Sequence, residues 1–210
     1  MPSSKVTISA IFAKIGTCPQ DSTCVYAKFT DADVKAWYHD GVHYCVEKGY
    51  MDGVADTLFN PTGTLSRAMI VTMLWRMEGS PVVNYAMSFK DVPADEWYTE
   101  AIRWAQSTKV VEGYDDESFG PKNDITREQL AAILMNYAAY KGIDVSERAT
   151  LAKFTDTDDI SAWALDSIKW ANAVGLISGR TDTTIVPTGN ATRAEAACMI
   201  QRFCENILGK

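Results

Sequence analysis

No run of apolar residues in this chain approaches the roughly 18 needed to cross a bilayer as a helix. The opening residues, Met1 to Ala10, hold no long apolar core, so they are not read as a secretory signal. Basic charge is in deficit: 20 Lys and Arg against 27 Asp and Glu leave a net charge of −7. That excludes a non-specific grip on DNA or on an anionic membrane, since both rest on a basic surface. An anionic ligand would have to be captured in a local pocket. Cysteines number five, an odd count that cannot pair fully within the chain, and none forms a Cys-x-x-Cys pair. The common zinc-ribbon and thioredoxin readings therefore lack support. Gly-x-Ser-x-Gly, P-loop and dinucleotide fingerprints are also missing.

The remaining composition is that of a soluble globular protein, with 47% hydrophobic and 22% charged residues over a length of one or two domains. Cys18 and Cys24 flank the polar stretch Pro19 to Thr23, which allows a short local disulfide. Cys198 and Cys204 would lie about 9 Å apart along a helix and on different faces, so they are not expected to bond. This usage leans toward an oxidising compartment.

One pattern occurs three times. With Trp37, Trp97 and Trp163 aligned, a glycine follows sixteen residues later (Gly53, Gly113, Gly179), a proline after twenty-four (Pro61, Pro121, Pro187) and an arginine after thirty (Arg67, Arg127, Arg193). Eight or nine residues before each Trp stands Phe-x-Asp: Phe29 to Asp31, Phe89 to Asp91 and Phe154 to Asp156. The repeats run over 29–80, 89–142 and 154–208. Each reads as helix, loop, helix. In the second, Ala101, Ile102, Trp104 and Ala105 recur at helical spacing. Thr126 with Gln129, and Thr192 with Glu195, have the spacing of a capping box; Ser66 with Met69 keeps only the cap. Trp104 and Trp170 are the expected core tryptophans. Residues 1–28 form an N-terminal segment in which Lys5 to Lys14 alternates as one strand. A lone strand is not stable, so it is expected to pair with the repeats or to end an upstream domain of a larger protein.

These residues resemble three tandem S-layer homology (SLH) repeats. The resemblance covers about 29–208 and is strongest at Thr192-Arg193-Ala194-Glu195, with Thr126-Arg127-Glu128-Gln129 and Ser66-Arg67-Ala68-Met69 as drifted copies. It implies a mainly α fold of helix-loop-helix repeats packed as a pseudo-threefold bundle. It also implies non-covalent binding of a secondary polysaccharide attached to peptidoglycan, often carrying a pyruvate ketal on an amino sugar. The contacts carry over to Asp31, Asp91 and Asp156, to Trp37, Trp97 and Trp163, to Gly53, Gly113 and Gly179, and to Arg67, Arg127 and Arg193. An extracellular, wall-bound location follows from the same resemblance.

Several of these positions have two readings. An arginine just after a helix cap opposes the positive end of the helix dipole, at about 0.3–1 kcal/mol where exposed. Either the repeat's own aspartate compensates it, or a ligand carboxylate does so together with first-turn N–H groups. The aligned tryptophans suit either a helix-start core position or a solvent-facing surface for a sugar ring. The glycines are expected to supply positive φ after the first helix, and the prolines to be structural. A rival function is a protein-interaction or self-assembly scaffold in which arginine and aspartate pair internally. His39, His43 and Glu47 have helical metal-ligand spacing, but they occur in one repeat only and read as solvated surface groups. No metal, cofactor or catalytic role is expected.

Overall fold

The computed structural model describes Cys18, residues 23–114 and residues 116–209. The strand expected over Lys5 to Lys14 lies outside the described residues. Among those described, the regular structure is helical: α1 (His39–Glu47), α2 (Arg67–Met77), α3 (Thr99–Ser107), α4 (Arg127–Tyr140), α5 (Leu165–Ala173) and α6 (Arg193–Arg202). Among the described residues, β-pairing is limited to isolated bridges. The chain is thus mainly α, with two α-helices per repeat.

The second helix of each repeat starts where the sequence puts a cap. Thr126 and Thr192 close full capping boxes with Gln129 and Glu195, whereas the Ser66 side chain accepts only the Met69 N–H. The first helices have no side-chain cap; α1, α3 and α5 follow directly on the tight turns that carry the aligned tryptophans. Their buried faces are those the spacing predicts, with Ala101, Ile102, Trp104 and Ala105 inside in α3.

Packing between helices crosses the repeat boundaries. The second helix of one repeat lies on the first helix of the next: α2 on α3, α4 on α5, and α6 back on α1. Gly41 is where α6 meets α1, since a Cβ there would stand 2.7 Å from the backbone of Cys198. At the centre the Leu65 N–H donates to Ala191, Ala191 to Ile125 and Ile125 to Leu65, at 2.8–2.9 Å. All three residues are fully buried, and the two large ones contribute roughly 1.5–3 kcal/mol each by that burial.

The loops also close the helix starts. The first two N–H groups of α2 donate to Asn123 and Pro121, those of α4 to Gly189 and Pro187, and those of α6 to Gly63 and Pro61. A proline carbonyl from the neighbouring repeat therefore satisfies an orphan helix donor, a role beyond rigid turn-making.

Candidate functional site

Arg67, Arg127 and Arg193 each start a helix and reach into the loop of another repeat. Their Nε groups donate to the Phe119, Ile185 and Phe59 carbonyls, each at 2.8 Å. Arg67 also donates to Glu112 O at 3.2 Å, and Arg193 to Asp52 O at 2.6 Å. The Arg67 guanidinium lies over Tyr114 and Phe119, and that of Arg193 over Phe59. All three are only 5–6% exposed: they are interior residues that tie repeat to repeat. The first-turn N–H groups expected to help hold a ligand are occupied by loop carbonyls.

The aspartates do not pair with these arginines. Asp31 accepts the Phe59 and Asn60 N–H groups, Asp91 those of Phe119 and Gly120, and Asp156 those of Ile185 and Val186, at 2.6–3.0 Å. Each carboxylate clamps its own loop at a left-handed residue: Asn60, Gly120 and Val186 all have positive φ. Burial alone would raise the Asp156 pKa. The backbone N–H donors of Ile185 and Val186, helped by Arg127, instead hold it below the usual carboxylate value.

Only one of the three loop glycines has the expected backbone. Gly179 has φ +102°, whereas Gly53 and Gly113 have no positive φ. What all three share is crowding: an added Cβ would come within 2.4–2.8 Å of the ring of Phe29, Phe89 or Phe154. Close approach of the Phe-x-Asp aromatic, together with a loop carbonyl (Ala55, Ser118 or Thr181) at 2.5–2.6 Å from the added Cβ, excludes a side chain there.

The aligned tryptophans face outward. Trp37, Trp97 and Trp163 are 57–69% exposed, while Trp104 and Trp170 are buried at 0–1%. Each exposed indole lies opposite the glycine loop of the preceding repeat. Trp97 with Gly53, Met69, Met73, Arg76 and Arg193 lines a cleft of about 410 Å³. Trp37 with Gly179, Arg180, Glu195 and Arg127 lines one of about 470 Å³. Trp163 with Gly113 and Tyr114 lines a shallower one of about 750 Å³, with Arg67 behind the Tyr114 ring at 4.8 Å. These volumes fall in the range of small-ligand sites. The Trp97 and Trp37 clefts thus each take their loop, tryptophan and motif arginine from three different repeats, and the Trp163 cleft takes its loop and tryptophan from two.

Charge distinguishes the clefts. Among the described residues, Arg67 and Arg193 have no carboxylate within ion-pair distance, and burial lowers the pKa of each. Arg127 is neutralised by Glu195 Oε1 at 3.0 Å, and Arg180 holds the other oxygen at 2.9 Å. The Asp31, Asp91 and Asp156 side chains do not line these three clefts.

A family model described as the S-layer homology domain matches residues 28–68, 88–131 and 153–197, more than half of the chain. This chain belongs to the S-layer homology domain family. Over 187 residues, 86% of its length, the SLH chain is 33% identical to an amylopullulanase of Thermoanaerobacterium thermosulfurigenes, of which that match covers 10%. It is 31% identical over 180 residues to a surface-layer 125 kDa protein of Lysinibacillus sphaericus, covering 83% of this chain and 14% of that protein. With a cellulosome-anchoring protein of Acetivibrio thermocellus it shares 30% identity over 169 residues, 79% of this chain and 36% of that protein. The SLH chain therefore spans a small share of the curated relatives it matches.

Two expectations on the SLH chain's N-terminal segment and first repeat are corrected. His39 is not a solvated surface histidine: it is 2% exposed and packs edge-on against Tyr26. Cys18 and Cys24 come together but remain thiols, with Cys24 facing His39 and His43 instead of closing a disulfide. Cys198 and Cys204 are buried thiols and do not bond to each other, the separation their spacing predicts.

Sequence reasoning missed the second cations of the SLH clefts. Arg76 lines the Trp97 cleft, paired with Asp52 at 2.7 Å, and Arg202 lines the Trp37 cleft. Both stand nine residues after a motif arginine, where the second repeat has Asn136. That recurrence of a polar group at one offset was the available signal.

Proposed function

We propose that the SLH chain is a cell-wall anchoring module that binds a peptidoglycan-linked secondary polysaccharide, with a carboxylate-bearing sugar such as a pyruvylated amino sugar seated in the clefts between repeats. Its setting is the outer surface of a bacterium, within a larger exported protein. The observation that carries this reading is the Trp97 cleft, where an exposed indole and a buried guanidinium with no carboxylate partner among the described residues line the same space. An apolar sugar face covers the indole and the Met69 and Met73 floor, and the sugar carboxylate approaches Arg193 from the open side. In the Trp163 cleft Arg67 stands behind the Tyr114 ring, so a ligand carboxylate there reaches it only if that ring moves aside. In the Trp37 cleft Glu195 already stands where the ligand carboxylate would go, which is the arrangement a scaffold reading expects, so this cleft contributes least. The aspartates act by holding the loops, and the glycines by admitting both the Phe ring and the sugar.

The test is a pull-down with Gram-positive cell walls before and after acid extraction of the secondary polymer. Retention is expected on intact walls only. Trp97→Ala is expected to weaken it about tenfold or more, equivalent to about 1.4 kcal/mol. Equal retention on stripped peptidoglycan, or by the Trp97 variant, would reject the proposed site. No retention on either wall would favour the scaffold.

A further inference from the structure

We propose that Cys18, Cys24, His39 and His43 form a four-coordinate structural zinc site that fastens the N-terminal segment to α1. One donor atom from each of these side chains lies within 4.8 Å of every other. With Zn–S of about 2.3 Å and Zn–N of about 2.0–2.1 Å, a tetrahedral site puts sulfur and nitrogen about 3.5 Å apart and the two sulfurs about 3.8 Å apart. Cys24 Sγ is 3.5 Å from His39 Nε2 and 3.0 Å from His43 Nδ1. Closing the site around an ion requires shifts of only a few tenths of an ångström along these edges.

The surroundings are those of a metal ligand set. The His39 Nδ1–H donates to Asp40 Oδ1 at 3.0 Å, which fixes the tautomer and turns the Nε2 lone pair toward Cys24. A carboxylate behind a ligating histidine is the usual outer partner of a zinc site. Cys24 caps the short 3-10 turn Val25–Lys28 and accepts the Tyr26 N–H at 3.4 Å, a bond that suits a thiolate better than a thiol. Cys24 and His39 are both buried. Binding Zn²⁺ would release both thiol protons to solvent, and two thiolates would cancel the charge of the ion, leaving a neutral group compatible with that burial. With all four ligands from the protein, no position stays open for catalysis.

The placement separates this cluster from the clefts. His39 and His43 stand two and six residues after Trp37, where the other repeats have Thr99 and Arg103, and Leu165 and Lys169. Nothing in the threefold pattern calls for two histidines and two cysteines here. They are special to the repeat that meets the N-terminal segment, and His39 and His43 lie one turn apart in α1.

The full chain, reduced, stripped with a chelator and reloaded with zinc alone, should retain one zinc per chain through gel filtration and melt at higher temperature than the stripped form. Cobalt should give the intense visible bands and sulfur charge-transfer absorption of a tetrahedral thiolate site. Cys24→Ser and the less buried His43→Gln should abolish retention, and Asp40→Asn should weaken it about 10–100-fold. Glu47→Gln should leave it unchanged. Absence of stoichiometric zinc, a six-coordinate cobalt spectrum, a Cys18–Cys24 disulfide that excludes the metal, or full retention by a folded His43→Gln chain would each overturn the assignment.

Discussion

At the scale of the residue, identical side chains differ by where the chain places them. Trp97 and Trp104 are seven residues apart, one 57% exposed and the other 1%. Trp104→Ala is expected to cost about 3–5 kcal/mol of stability through a core cavity. Trp97→Ala should leave the melting temperature nearly unchanged while reducing wall retention. Parallel thermal melts and pull-downs of the two variants check this contrast. The loop carboxylates carry a second prediction. Asp156 and Glu195 both titrate below their ordinary values, Asp156 through backbone N–H donors and Glu195 through Arg180, the Thr192 N–H and Arg127, in each case against the opposing effect of burial. A depressed carboxylate pKa means that the folded state binds its proton less readily than the unfolded state. The stability it contributes is complete above the unfolded values of roughly 4 and is lost as pH falls through the lower folded values. Thermal melts between neutral pH and pH of about 2 should show this loss, and Asp156→Asn should make the acid limb shallower.

At the scale of the element, a helix in this protein is specified by its own sequence but stabilised by a neighbour's. Capping boxes start α4 and α6 locally, yet the first N–H groups of those helices are satisfied by loops of other repeats. Glycine at position 41 is required by the α1–α6 crossing, where an added Cβ would meet backbone that cannot rotate away. Gly41→Ala favours an isolated helix by roughly 0.5–1 kcal/mol, but here it should destabilise the protein, by about 1–3 kcal/mol as overpacking of a close contact. Denaturant unfolding of the variant decides the sign: a gain in stability would mean that α1 and α6 are not in close contact.

At the scale of the whole molecule, the contacts close on themselves. Repeat one holds the loop of repeat two through Arg67, repeat two holds that of repeat three through Arg127, and repeat three returns to repeat one through Arg193. The backbone bonds among Leu65, Ala191 and Ile125 close a ring as well, in the opposite sense, from repeat one to three to two and back. A chain ended before the third repeat loses α6 from the face of α1 and leaves the buried Leu65 N–H without its acceptor, a loss of about 1–3 kcal/mol for the donor alone. Residues 1–150 are therefore expected to aggregate or remain unfolded, and the intact chain to unfold in one transition. Circular dichroism and gel filtration of the truncated chain test this; a monomeric, helical product would contradict it.

Periodicity and offset alone determined the three units, the six helices within them, the caps and the core place of Trp104 and Trp170, because these depend on residues a few positions apart. That Trp37, Trp97 and Trp163 face outward came from the tertiary structure. The tertiary structure decided where the arginines and aspartates are directed. A guanidinium at a helix start reads the same in sequence whether it meets its own aspartate, a ligand or a distant carbonyl. Its partners Phe59 and Asp52 lie 134 and 141 residues from Arg193. The cysteine and histidine cluster was hidden for the same reason. Cys18 and Cys24 fit a local disulfide until the fold sets α1 beside them, and only that long-range contact puts His39 and His43 against the two sulfurs.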